Sequence, residues 1–305
     1  MARLRIAIIG LGKIARDQHL PVIASSTVFE LVAVVSPKAT VESGVRAFRD
    51  HQEMLRQIEL DAVAICTPPA VRHMIARDCL ERGLHVLLEK PPAASIGEVA
   101  DLEALSRRNG RSLFTTWHAQ FNDSVLEAAR LVADQGLEAM RIDWLEDVEK
   151  WHPGQQWIWE PGGFGVFDAG INALSIATAI SPAKLLLRQA RFSMHPTGQE
   201  PIAANLALVA AGVKGPIDVI LDWRHKGEER WTIDIRTRAH TRLLLSDGGG
   251  TLRIDDQPPI RSGQGEYHAI YDKFARLIKE GHSLIDGEPL RLVADAFLLA
   301  RRDQG

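Results

Sequence analysis

The apolar run Leu4–Ile9 passes directly into Gly10-Leu11-Gly12-Lys13-Ile14-Ala15, and this junction constrains the fold more than any other stretch of the chain. A GxGxxA element that follows a strand and opens a helix is built to receive a pyrophosphate. The first glycine makes the turn, the second lets the phosphates approach the backbone, and a small third residue lets the helix pack closely on the sheet. The helix N-terminus then attracts the negative charge. Around this junction the first 120 residues alternate short apolar runs with helical stretches. Strands are expected at Leu4–Ile9, Leu31–Val35, Ala62–Cys66, His85–Leu88 and Ser112–Thr115. Their continuous apolar character implies burial on both faces, as in a parallel sheet. Helices are expected at Lys13–Ser25, Ala70–Arg82 and Ile96–Arg108. That order gives an N-terminal Rossmann-type doubly wound sheet with right-handed crossovers, which binds ligands beyond the carboxyl ends of its strands.

After a helical stretch at Ser124–Ala133 the pattern changes. Strands are expected at Met140–Val148, Leu185–Met194, Ile202–Ala210, Ile217–Trp223, Trp231–Arg236, Leu243–Leu245 and Thr251–Ile254. Alternation such as Ile217, Val219, Leu221 and Trp223 against Asp218 and Asp222 describes one packed and one wet face, hence a large, mostly antiparallel open sheet. Helices at Tyr267–Lys279 and Leu290–Arg302 close the chain. Two domains follow, a dinucleotide-binding one over 1–120 and an α+β substrate-binding one over 121–305, with the last helix able to return to the first.

The end of the second strand bears on the cofactor. NAD-selective folds carry an acidic residue there for the ribose 2′-hydroxyl. This chain has Ser36-Pro37-Lys38 instead, and Glu30 comes too early. Ser36 and Lys38 suit a 2′-phosphate, and a plain surface pair is the other reading, so NADP and NAD are both expected with a lean to NADP. Gly10, Gly12, Lys13 and Ile14 form the phosphate turn. Cys66, Thr67, Pro68 and His73, with Glu89 and Lys90, are expected at the same edge of the sheet. Pro91 restricts Lys90 towards extended backbone, with a cis bond at Lys90–Pro91 or Pro91–Pro92 open. A lysine fixed there is able to stabilise negative charge developing on a reacting oxygen; a helix-capping surface lysine is the alternative.

A second concentration of chemistry runs from Glu146 to Asn172. Trp151, Trp157 and Trp159 offer flat faces, while Glu146, His152, Asp168 and Asn172 supply acceptors, donors and a proton carrier. Flat faces ringed by hydrogen-bonding groups suit a sugar; a structural loop around a tryptophan cluster is the competing reading. Glu146 interrupts the apolar face of Ile142 and Trp144, so it needs partners. Sugar hydroxyls qualify, and so does an ion pair with Arg141 or Lys150. Trp231 either covers a ligand or begins a core strand, and His118 is a candidate for a pocket floor. A zinc site from His118, His152 and Asp168 is disfavoured by the absence of metal-ligand spacing.

The 36 basic and 39 acidic residues give a net charge of −3, which argues against nucleic acid and anionic membrane as partners. Cys66 and Cys79 suggest no disulfide framework, and the N-terminal apolar run is too short to span a bilayer; a cytoplasmic protein is expected. A homodimer through the open sheet is compatible with the pattern.

The GxGxxA start, CTPP, EKP and Asp168-x-Gly170-x-Asn172 together resemble the glucose–fructose oxidoreductase / inositol dehydrogenase superfamily over essentially the whole chain. Within it, GKIARDQHLP, LLEKPP, WHPGQQWIWEPGG, GVFDAGINALS and PLRLVADAF are similar to bacterial aldose 1-dehydrogenases acting on D-galactose and L-arabinose. The resemblance implies NAD(P)-dependent oxidation of a pyranose at C1 to the aldonolactone. It assigns catalytic roles to Lys90, Asp168 and Asn172, with sugar contacts from Glu146, His152 and Trp231, to which Trp151 and His118 are added as candidates. Many superfamily members place their proton-accepting His where this chain has Asn172. The base is therefore expected at Asp168, with His152 competing. A polyol or inositol dehydrogenase and a non-catalytic dinucleotide-binding regulator are the rival readings.

Overall fold

The computed structural model describes residues 2–37, 44–196, 199–263 and 265–303. The chain forms two compact units, Met1–Trp117 with Tyr267–Gly287, and His118–Glu266 with Glu288–Gly305. The change of unit thus falls at Trp117/His118. The segment that joins the first unit late in the chain is the penultimate helix, Glu266–Glu280, in place of the expected last one.

In the first unit six parallel strands, β1 (Leu4–Ile9), β2 (Phe29–Val35), β3 (Arg46–Phe48), β4 (Ala62–Ile65), β5 (His85–Leu88) and β6 (Leu113–Thr115), lie in the order β3-β2-β1-β4-β5-β6. The order reverses between β1 and β4, which is where doubly wound sheets bind ligands. Ile6, Ala7 and Ile8 and all four residues of β4 are fully buried, because helices cover both faces. Crossover helices include Pro69–Glu81 and Ile96–Asn109, the latter opened by a Ser95/Glu98 capping box. Sequence pattern does not reveal β3 or the helix His51–Gln57. One has only three residues and the other only seven, with Met54 and Leu55 as its sole apolar pair, so neither carries an apolar period.

In the second unit nine strands continue the count: β7 (Leu137–Leu145), β8 (Leu185–Met194), β9 (Pro201–Ala210), β10 (Ile217–Asp222), β11 (Arg230–Thr237), β12 (Arg242–Ser246), β13 (Thr251–Ile254), β14 (Ile260–Arg261) and β15 (Arg301–Asp303). Their order is β14-β13-β12-β11-β7-β10-β9-β8-β15, antiparallel except for β7 with β10 and β8 with β15. The expected helix Leu290–Arg302 instead spans Glu288–Leu299, and the residues after it form the edge strand β15. On β10, Ile217, Val219 and Leu221 are buried, matching the expected alternation. No helix among the described residues is long and apolar enough to cross a membrane.

Candidate functional sites of the two units

In the first unit the phosphate turn is shaped by its glycines. Gly10 has φ +97°, and a Cβ there would lie 2.8 Å from the carbonyl carbon of Cys66 and the nitrogen of Thr67. Only glycine accommodates both conditions. A Cβ on Gly12 would meet nothing within 4 Å, so this side of the turn is open. Thr67 Oγ1 is buried without a hydrogen-bond partner among the described residues. A bound ribose or phosphate would supply one, and in these respects the turn fits a dinucleotide. Lys13 is exposed and paired with Asp17, Ile14 is half-buried and Pro68 precedes the helix Pro69–Glu81. The Ser36 amide donates to Phe48 O at 2.9 Å, while Lys38 lies outside the described residues. His73 has its Nε2 2.8 Å from Asp101, a carboxylate shared with Arg77, so that ring nitrogen is committed to an ion-pair cluster.

Beneath the strand ends lies a buried polar cluster. Glu89 Oε1 accepts from Tyr267 OH at 2.8 Å and meets His19 Nε2 at 3.0 Å, while its Oε2 accepts from the Lys90 amide at 3.0 Å. His19 Nδ1 lies 2.8 Å from Tyr271 OH. Burial opposes a charge on His19, but Cys66, Tyr271 and Glu89 outweigh it and raise its pKa well above the ordinary value. Burial foremost pushes the Tyr271 phenol up to about 12. The Lys90–Pro91 bond is cis. Arg72, 3% exposed, donates to the carbonyls of Glu89, Pro91 and Thr67. Sequence reasoning missed His19, Arg72, Tyr267 and Tyr271.

In the second unit, strand register assembles the aromatic site. β7 and β11 pair Trp144 with Trp231, whose rings stack with centroids 6.0 Å apart. Glu146 follows two residues after Trp144 and is 3% exposed. Its Oε1 accepts from Trp223 Nε1 at 2.8 Å and its Oε2 from Trp231 Nε1 at 2.7 Å. The two cations considered for it are engaged elsewhere, Arg141 with Asp143 and Lys150 with Glu229. Trp151, 41% exposed, leans on Trp231 at 5.3 Å. The loop that follows folds inward at Trp159, which stacks on His195 at 3.9 Å and meets Trp223 edge-on.

His152 packs against the other side of this cluster, 5.0 Å from the Trp223 ring, and its Nε2 lies 3.8 Å from Asp168 Oδ2. Asp168 and Asn172 sit one turn apart on the helix Phe167–Ile180 and so share a face. Asp168 is 8% exposed, and Asn172 Oδ1 is buried without a partner among the described residues. His118 has its Nδ1 2.7 Å from Glu266, which also accepts from Asn122 at 2.6 Å. The second unit therefore gathers Glu146, Trp151, His152, Asp168 and Trp231 through a chain of direct contacts, with Asn172 beside Asp168. Among the described residues no group of three or more His, Cys, Asp or Glu side chains is placed to hold a metal ion.

Comparison with known proteins adds to this geometry. The model of the GFO_IDH_MocA oxidoreductase family, with an NAD-binding Rossmann fold, matches residues 4–116. Galactose 1-dehydrogenase of Pseudomonas fluorescens is 39% identical over 303 residues, covering 99% of this chain and 97% of that protein. The crystal structure of D-galactose-1-dehydrogenase from Rhizobium etli is 42% identical with a TM-score of 0.93, covering 100% of this chain and 97% of that one. A 3-ketoreductase from Actinomadura kijaniata in complex with NADP and TDP-benzene shares the fold, with a TM-score of 0.86 at 18% identity over the full length of both chains.

Proposed function

The chain belongs to the GFO_IDH_MocA oxidoreductase family, and we propose that it is an NAD(P)-dependent aldose 1-dehydrogenase that oxidises a pyranose such as D-galactose, L-arabinose or D-fucose to its aldonolactone. The observation that carries the reading is the contiguous Glu146–Trp223–His152–Asp168 array, in a chain similar along its whole length to galactose 1-dehydrogenase. The indole faces of Trp151 and Trp231 pack against the apolar face of the sugar, and Asn172 and His152 bond its hydroxyls. Asp168 takes the proton of the C1 hydroxyl as the C1–H bond breaks and the carbonyl of the lactone forms. His152 is placed to steady the Asp168 carboxyl, and Lys90 offers an ammonium to the negative charge that develops on the same oxygen. The nicotinamide dinucleotide, held by the Gly10–Ile14 turn and the Cys66–Pro68 segment, supplies the hydride acceptor. Ser36 and Lys38, in place of an acidic residue directly after β2, support NADP, with NAD also accepted.

The three sugars share configuration at C1 to C4 and differ at C5, a difference worth about 1–3 kcal/mol per group in an apolar pocket. Turnover of all three, and a preference over glucose with its equatorial C4 hydroxyl, is therefore expected. The test is reduced-nicotinamide formation across a panel of aldoses with product identification, for the native chain and Asp168→Ala. The variant should lose about 10²–10⁴ in kcat, the typical contribution of a general base. Retention within about tenfold removes Asp168 from that role. A ketone product assigns a polyol dehydrogenase, and no turnover with any sugar assigns a dinucleotide-binding regulator.

A further inference from the structure

The peptide that carries Lys90 is gripped from one side by a single buried guanidinium. Arg72 Nη1 donates to the carbonyl oxygens of Glu89, at 2.5 Å, and of Pro91, the residues on either side of Lys90, and Nη2 donates to Thr67 O. Arg72 is 3% exposed on the helix Pro69–Glu81, which starts two residues beyond Thr67. One planar fork thus ties the segment after β4 to the segment after β5. A point charge on a flexible stem does not reproduce that span.

A buried guanidinium carries a large desolvation cost, and three carbonyl acceptors offset part of it through charge-assisted bonds to Nη1 and Nη2. Helix–sheet packing alone would be served by a leucine here, because Ile75, Ala76, Cys79 and Leu80 continue the same buried face. What the arginine adds is a fixed distance between the Thr67 segment and both neighbours of Lys90. We infer that Arg72 is a positioning residue of the dehydrogenase reaction, acting through Lys90 by fixing the backbone on both sides of it; this rests on the role proposed for Lys90 above. A misplacement of about 1 Å at a reacting group costs about 10²-fold in rate.

The experiment is a cycle of Arg72→Ala and Lys90→Ala in the full chain, read by kcat, KM for the sugar, dinucleotide affinity and thermal melting. Arg72→Ala is expected to lower kcat about 10²-fold, with sugar KM and dinucleotide affinity within about threefold. Added guanidinium should restore at least tenfold of the loss. In the Lys90→Ala background the same substitution should cost less than about threefold, because its target is already absent. Equal costs in both backgrounds, or a loss confined to dinucleotide affinity or melting temperature, overturn the inference. Should Arg72→Ala fail to fold, Arg72→Lys carries the same cycle, since it keeps the charge and loses the fork. The separate failure, a Lys90→Ala enzyme with native kcat, would retract the role of Lys90 itself and be visible before Arg72 is changed.

Discussion

Replacing Glu146 by glutamine tests whether the aromatic site is built on a carboxylate. Each carboxylate oxygen accepts one indole N–H, from Trp223 at 2.8 Å and from Trp231 at 2.7 Å, in a position 3% exposed. Glutamine has nearly the same shape, but only one of its two terminal atoms accepts. Tryptophan Nε1 is a donor only, so whichever way the amide is turned an N–H faces an N–H. One charged hydrogen bond is lost and the other becomes neutral. At about 1.5–3 kcal/mol for a bond to a charged group, less the relief of no longer burying a charge, the net loss is about 2 kcal/mol. For a unit of this size that corresponds to a fall of about 4–8 °C in melting temperature. The indole that loses its anchor also loses its orientation, so sugar KM should rise about tenfold while kcat stays within a few fold. Calorimetry and steady-state kinetics of Glu146→Gln, alone and with Trp231→Phe, read both effects. Phenylalanine removes the opposing N–H, so in that background the glutamine should cost less than half as much. An equal cost in both backgrounds, or a change below about 0.5 kcal/mol in the single variant, would refute the two-indole account.

Glu200 gives the opposite pH dependence to a paired carboxylate. Burial pushes it from the ordinary 4.5 up to about 7, with Arg302 pulling the other way, and its Oε2 has no hydrogen-bond partner among the described residues. A raised carboxyl leaves stability intact below the unfolded value and removes it as pH rises through about 7, to a limit of about 3 kcal/mol. Glu200→Gln should therefore match the native chain near pH 4.5 and exceed its stability at pH 8 in urea unfolding, and parallel curves would count against the buried, unpartnered carboxyl. The two units should also be separable by glycine substitutions: Gly10→Ala places a Cβ 2.8 Å from Cys66 and Thr67 and should weaken dinucleotide binding, whereas Gly163→Ala places one 2.1 Å from Trp157 O and should raise sugar KM with dinucleotide affinity unchanged. Fluorescence titration with the reduced dinucleotide and steady-state kinetics distinguish these outcomes.

Features with a local period are legible in the amino-acid sequence itself. The parallel strands show as unbroken apolar runs because both faces are covered, and Asp168 and Asn172 show as a pair because a helix repeats every four residues closely enough to align them. Partners that depend on register between distant strands are not legible. Local alternation shows that Glu146 needs partners, but its pairing with Trp223 and Trp231 follows from β7 lying between β10 and β11, which no local pattern specifies. The partner of His118 is likewise not legible, because Glu266 meets it from 148 residues away. The edge strand β15 reads as helix because it continues a helical pattern for three residues past Leu299.

Arg72 and His19 are a different case, since their signal is present in the sequence. Ile75, Ala76, Cys79 and Leu80 mark the apolar stripe of their helix, and one turn back along that stripe stands Arg72. Ala15, Val22 and Ile23 mark the stripe of the first helical segment, and His19 lies on it, four residues after Ala15 and three before Val22. Helical period alone therefore places both side chains inside, and a buried cation or imidazole must be met by acceptors. In a doubly wound sheet the first turn of a crossover helix starts at the carboxyl edge, where ligands bind. A charge on the buried stripe in that first turn is thus directed at the backbone of the ligand-binding segments and not at the far end of the core. The acceptors it finds are the peptides around Lys90, and the same reasoning would single out such a residue from sequence in any chain of this topology.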